Sequence, residues 1–286
     1  MNHIVRRKNK ESREERGEDL GDRVYKKLIV TGHILEVYEY ERMPGPKHDM
    51  RDLDDGYNAL DLENTKLDLK ELVPEDRTEE RRKQTLRDAR NTTRRLALMN
   101  FNSGDKFITL TFDPKRVSDE SLLYSIDYVD KQFKKFIQRF NYRFKVKLKY
   151  IAVREQHKSG RLHFHMLCDW KKELFFEDEI REYERILGEE VWKHGFVDIK
   201  TLNHVDNVGA YIIKYMTKSV SIEFFKGKKV YLCSKGLERP LVFKDYEADQ
   251  ILEEYKNEIK KEVFTNSYES EYLGKIVYKE YNLKRL

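Results

Sequence analysis

Two apolar runs joined by a few polar residues constrain this chain more than any other feature. Lys147 to Glu155 and Arg161 to Asp169 are rich in aliphatic, β-branched and aromatic side chains. Between them lies Lys158-Ser159-Gly160, a three-residue loop with glycine where the backbone must turn left-handed. The pattern predicts an antiparallel hairpin in which Glu155 stands directly opposite His163. Strand side chains alternate between faces, so His163 and His165 point one way, while Leu162, Phe164, Met166 and Cys168 point into an apolar layer. One carboxylate and two imidazoles then converge on a single face.

That donor set suits a divalent cation with open positions for water or phosphate oxygens. A hard carboxylate with two imidazoles is compatible with Mn²⁺ or, less tightly, Mg²⁺, and zinc is chemically admissible. An isolated His-x-His pair on a strand is more often two half-buried polar residues; the in-register Glu155 is what points to a metal. His157 at the loop edge and His194 before a glycine read as surface residues, and His204 reads as structural.

The flanking segments place this hairpin in a larger sheet. Phe107 to Phe112 alternates bulky and β-branched residues and stops at Asp113-Pro114, which predicts a strand. From Asp119 to Phe140 apolar residues recur at three- and four-residue steps, which predicts an amphipathic helix over a sheet. Leu174 to Lys193 reads as a second helix, Phe196 to Ile199 as a short strand, and Val205 to Val220 as a third helix. Strand, helix, strand, strand, helix, strand is the order of the split βαβ arrangement, so the expected class is α+β, a ferredoxin-like antiparallel sheet with flanking helices. That topology hosts many functions, and the site must carry the argument.

The third of those helices holds the other candidate chemistry. Asn203-His204-Val205-Asp206 reads as its start, with Asn203 as N-cap. Val205, Val208, Ile212, Met216 and Ser219 form the packing stripe. Tyr211, Lys214, Tyr215 and Lys218 form a second stripe, turned roughly 100° from the first at 3.6 residues per turn. Tyrosines and lysines at this spacing commonly cover apolar surface with their stems. The alternative is chemical: a phenol of ordinary pKa ~10 is a poor nucleophile at neutral pH, and a nearby ammonium or metal favours the phenolate.

Outside this stretch the sequence is less explicit. Residues 1–22 are a charged arm without periodicity, and Val24 to Glu41 reads as a hairpin around Thr31-Gly32-His33. Met43 to Pro74 reads as a linker. Pro74 to Asn100 reads as a helix carrying Arg81, Arg82, Lys83, Arg87, Arg90, Arg94 and Arg95, either a solvated face or a phosphate-contacting one. Tyr246 to Glu262 looks helical and Ile276-Val277-Tyr278 strand-like. The expected divisions are 1–22, a flexible arm; 23–100, hairpin, linker and basic helix; 101–240, the catalytic domain; and 241–286, a helical extension.

Composition adds bounds. At 286 residues the chain can bury a proper core, and the net charge of +5 announces no partner by itself, although 18 Tyr and 15 Phe are available to stack. The two cysteines form neither a Cys-x-x-Cys pair nor a disulfide framework, which fits a reducing compartment. No apolar run is long enough for a signal peptide or a membrane span, so a cytoplasmic location and no membrane partner are expected. A Gly-x-x-x-x-Gly-Lys-[Ser/Thr] motif is missing, so no nucleotide-driven helicase is expected in the chain.

The strand Phe107 to Phe112, the Glu155 to His165 hairpin and the run Tyr211-Ile212-Ile213-Lys214-Tyr215-Met216-Thr217-Lys218 occur in the order of the three motifs of HUH-endonuclease rolling-circle replication initiators, which this chain resembles. It looks most like the replication-associated proteins of bacterial plasmids and single-stranded DNA phages. Its paired tyrosines are similar to those of the gene A proteins of small icosahedral phages, where two tyrosines alternate as nucleophiles. The resemblance covers Phe107 to Lys218 and extends to Ser234-Lys235-Gly236-Leu237-Glu238-Arg239-Pro240. It implies an HUH fold in which Glu155, His163 and His165 hold the metal and Tyr211 or Tyr215 attacks the scissile phosphate, with Lys214 and Lys218 stabilising charge. The implied partners are single-stranded or hairpin origin DNA and a host helicase acting in trans. Relaxases of this superfamily usually present three histidines, and the carboxylate here shifts weight towards a replication initiator. A mobilisation relaxase or tyrosine transposase, and a non-catalytic nucleic-acid-binding module, are the alternatives.

Overall fold

The computed structural model describes residues 24–43, 75–157, 159–203, 205–216, 228–259 and 262–285. The expected arm 1–22, most of the linker 43–74, and Lys158, His204, Lys218 and Ser219 lie outside the described residues. The chain is α+β, as expected, with two antiparallel five-stranded sheets and five α-helices among the described residues.

The first sheet is assembled from distant parts of the chain. Strands β1 (Tyr25–Thr31) and β2 (Ile34–Tyr40) form the expected hairpin. Its two-residue turn places Gly32 at φ +60, where a side chain would be strained. Three later strands complete the sheet: β8 (Leu241–Lys244), β9 (Glu262–Ser270) and β10 (Gly274–Asn282), in the order β8-β1-β2-β10-β9. The stretch expected as a helical extension is thus helical only in α5 (Asp245–Glu254). Its remaining residues alternate Tyr and Ile with Lys and Glu, and they are recruited as strands by pairing with β2.

The second sheet is the predicted split βαβ unit. Strands β3 (Lys106–Phe112), β4 (Tyr150–Gln156), β5 (Leu162–Cys168) and β6 (Gly195–Thr201) lie in the order β6-β3-β5-β4, and a short β7 (Tyr231–Cys233) adds to the β4 edge. One face buries Phe164, Met166 and Cys168 against α2 (Ile126–Phe144), whose Phe133, Phe136 and Phe140 are fully buried. Each such ring contributes roughly 1.5–3 kcal/mol of burial. A bidentate pair from Arg154 to Asp130 pins α2 to β4. The opposite face carries Phe107, Ile151, Val153 and Leu167, and it packs under α1 (Glu75–Asn100) and α4 (Val208–Ile213).

Helix ends depart from the sequence reading where two capping residues compete. The helix expected from Asp119 begins instead at Ile126: Asp119 caps only a short 3₁₀ turn (Glu120–Tyr124), and Ser125 is the N-cap of α2, its hydroxyl accepting from the Tyr128 amide. The helix expected over Leu174 to Lys193 is α3 (Glu177–Ile186), followed by a wider π turn to Trp192. The last expected helix is α4, extended by a 3₁₀ turn to Met216, and its N-cap is Asn207, not Asn203. Asp206 is drawn out of the helix by Asn282 and Arg285 of the first sheet's final strand and the residues after it. Among the described residues no helix is long and apolar enough to cross a membrane.

Candidate active site

The hairpin forms in the anticipated register. Glu155 faces His163, and Val153 and Thr109 flank His165 from either side. The turn is closed by the Gly160 amide donating to the His157 carbonyl at 2.7 Å and the His157 amide donating to Arg161 at 2.8 Å, with Gly160 at φ +85. Its glycine also leaves room for Tyr124, whose ring would lie 3.0 Å from an added Cβ.

Three donor atoms therefore share one point. Glu155 Oε2 lies 3.0 Å from His163 Nε2 and 2.6 Å from His165 Nε2, and the two imidazole nitrogens are 3.1 Å apart. The ligand atoms of Glu155, His163 and His165 all lie within 4.8 Å of one another, compatible with a divalent metal. Thr109 Oγ1 sits 3.2 Å from His165 Nδ1. With Nε2 as ligand, Nδ1 carries the proton and donates it to this hydroxyl, which fixes tautomer and ring orientation. The donor set and its focus fit a cation of the Mn²⁺ or Mg²⁺ type.

The electrostatics favour ligation. Burial lowers the pKa of both histidines, that of His165 to about 4, so both imidazoles are neutral near pH 7 and keep a free lone pair. Burial alone would raise the Glu155 carboxyl, but its contacts with His165 and His163 outweigh that and hold it below the usual range.

Beside this cluster stands the tyrosine helix. The Tyr215 ring stacks on His165 at 3.8 Å between centroids, while Tyr211 meets Phe107 edge-on at 4.8 Å and lies 6.0 Å from Tyr215. Lys214 is exposed, with Nζ 3.8 Å from the Tyr211 ring centre and 4.8 Å from that of Tyr215, so its charge lies over the π faces. Burial raises the Tyr211 phenol, and its hydrogen bond to Tyr215 raises it further, against the opposing charges of Lys214 and Lys200. Val208, Ile212 and Met216 form the buried stripe as anticipated.

The close seating of this helix depends on Gly209. A Cβ there would lie 2.5 Å from the Arg94 carbonyl oxygen on α1. Arg94 and Arg95 in turn grip the fully buried Glu36 on β2. The basic face expected on α1 is thus partly a structural clamp: Arg94 also pairs with Glu280 at 2.7 Å, and Arg95 donates to Tyr38.

Residues 105–220 match the family model of the ORF2-type replication-associated proteins. The resemblance to rolling-circle replication proteins read from the three motifs is thereby borne out, and a replication-associated role is supported. No curated protein and no solved structure matches the chain. The replication-associated domain spans the second sheet from β3 to β6 and the tyrosine helix, and it leaves the first sheet and α1 outside.

Within that domain, sequence reasoning missed Thr109 and Lys200. Lys200 faces Phe107 across the β3–β6 ladder, pairs with Asp198 at 3.5 Å, and lies close enough to Tyr211, Tyr215 and His165 for its charge to act on all three. Both residues stand on strands whose sequence speaks only through its period. Counting along the same face from Phe107 reaches Thr109, and pairing β6 with β3 reaches Lys200. His157 is exposed, as expected. His194 is half-buried against Phe112 and Trp192 and takes no part in the cluster.

Proposed function

We propose that the chain nicks and rejoins single-stranded DNA at a replication origin by tyrosine transesterification, as a rolling-circle initiator. The observation that carries this reading is the stacking of Tyr215 on His165, which brings a phenol against a ring of the Glu155, His163 and His165 cluster. When bound there, a divalent cation supplies Lewis-acid polarisation of the scissile phosphate.

Tyr215 is the better first nucleophile of the two. It touches a ligand ring, and its oxygen receives the hydrogen bond from Tyr211, which favours its anionic form. The Tyr215 oxygen attacks phosphorus, the bond to the 3′ oxygen breaks, and that oxygen leaves as a 3′-hydroxyl with the 5′-phosphate on tyrosine. Reversal by a 3′-hydroxyl rejoins the strand, and Tyr211 can take the second attack. Lys200 and Lys214 hold positive charge beside the phenols, and Lys218 is proposed for the same role from its spacing alone. Residues 101–240 are taken as the nuclease domain, working in the cytoplasm on extruded or single-stranded DNA opened by a host helicase.

The test is Mn²⁺-dependent nicking of a labelled single-stranded origin oligonucleotide. Tyr211→Phe with Tyr215→Phe should abolish the covalent protein–DNA adduct, and Tyr215→Phe alone should lose about 100-fold or more in the first cleavage, the scale of losing a positioned nucleophile. An adduct that survives the double change rejects the assignment.

A further inference from the structure

Helix α2 covers the sheet face opposite the Glu155, His163 and His165 cluster, and its outer side carries charge of one sign. Lys131, Lys134, Lys135, Gln138 and Tyr142 are exposed and fall within about 100° of arc over roughly 16 Å of helix. Lys145, the left-handed C-cap, continues the line. From Lys131 to Lys149 the sequence contains no acidic residue. Among the described residues, none of Lys131, Lys134, Lys135 and Lys145 has an ion-pair partner.

The neighbouring helix shows what an ordinary solvated surface does. On α3, Arg181 pairs with Glu177, and Arg185 pairs with both Glu182 and Glu189. Charge is balanced residue by residue there. On α2 the like charges repel one another at i, i+3 and i+4 spacing, a cost that an anionic partner removes.

We propose that this stripe is a second nucleic-acid surface that tracks the phosphate backbone of duplex DNA, separate from the single-strand site. The proposal rests on the DNA reading of that site. A rigid straight line of ammonium groups with one aromatic suits a duplex backbone; tracks for single strands interleave several aromatics on which bases stack. The stripe would hold the chain on origin duplex while the opposite face works on the unpaired strand.

The test uses the full chain. A fluorescein-labelled duplex oligonucleotide is titrated in EDTA over a salt series with wild type and with a variant carrying Lys131→Ala, Lys134→Ala, Lys135→Ala and Lys145→Ala. Mn²⁺-dependent nicking of a single-stranded oligonucleotide is followed in parallel. Each phosphate contact contributes about 0.9 to the slope of log K against log salt, so the variant's slope should be shallower by about 3 to 4. Its nicking rate on saturating single strand should be unchanged, and the matching Lys→Arg variant should keep the wild-type slope. Equal slopes in wild type and the alanine variant overturn the proposal, as does binding of polyglutamate as tightly as duplex. A stripe-dependent slope without any nicking removes the nuclease reading and leaves the stripe standing; nicking with a stripe-independent slope does the reverse.

Discussion

The two sheets have the same strand count and opposite construction. The replication-associated sheet is built mostly from one continuous stretch, with neighbouring strands β4 and β5 joined by a tight loop. It spends one face on a core of aromatic rings and opens the other to ionisable groups. The accessory sheet joins β2 to β10, more than two hundred residues apart, and uses a fully buried carboxylate, Glu36, to hold Arg94 and Arg95. The difference teaches a division of labour. One sheet presents the metal ligands, and the other fixes α1, against which the tyrosine helix is seated.

Breaking the accessory clamp should have the largest effect. Glu36→Ala leaves two guanidinium groups partly buried around a lost partner and should cost about 3–5 kcal/mol of stability, read by chemical denaturation. Mn²⁺ affinity of the protein that remains folded should be unchanged, because the ligands stand on the other sheet. A parallel fall in metal affinity would erase the distinction.

Thr109→Val is the reciprocal change. It removes the hydroxyl beside His165 Nδ1 while keeping the side chain's shape. Mn²⁺ affinity should fall about 10- to 100-fold, with denaturation little altered. Unchanged affinity in calorimetric titration would show that Thr109 does not orient the ring.

The smallest effect is a pH slope confined to the replication-associated sheet. In EDTA, folded His165 stays neutral down to about pH 4, while the unfolded imidazole takes its proton near the ordinary ~6.5. Between those values the unfolded chain binds the extra proton, so stability should fall as pH drops through that window. His165→Gln should flatten this part of the curve in thermal denaturation at stepped pH, and an unchanged slope would mean that other groups set it.

Legibility in the sequence follows the same division. The hairpin with Glu155, His163 and His165 is readable because period-two alternation and a turn glycine are local signals, and the tyrosine stripe because helical spacing is local too. The pairing of β2 with β10 is not: no local pattern encodes a partner that far away, and β9 and β10 carry Tyr, Lys and Glu where a buried strand would carry Val and Ile. Asn203 misleads as an N-cap because nothing near it in sequence announces that Asn282 and Arg285 hold Asp206 outside the helix. Thr109 and Lys200 lack any motif of their own, since their meaning arises only from cross-strand neighbours.

The seam between β2 and β10 also sets an order on biosynthesis. A ribosome releases the hairpin of β1 and β2 early, but the seam cannot zip until residues 274–282 have been translated. Until then Glu280 is missing from the grip on Arg94, and Asn282 from the hold on Asp206. The tyrosine helix therefore settles late, and a half-made polypeptide carries its metal ligands before its nucleophiles are locked in place.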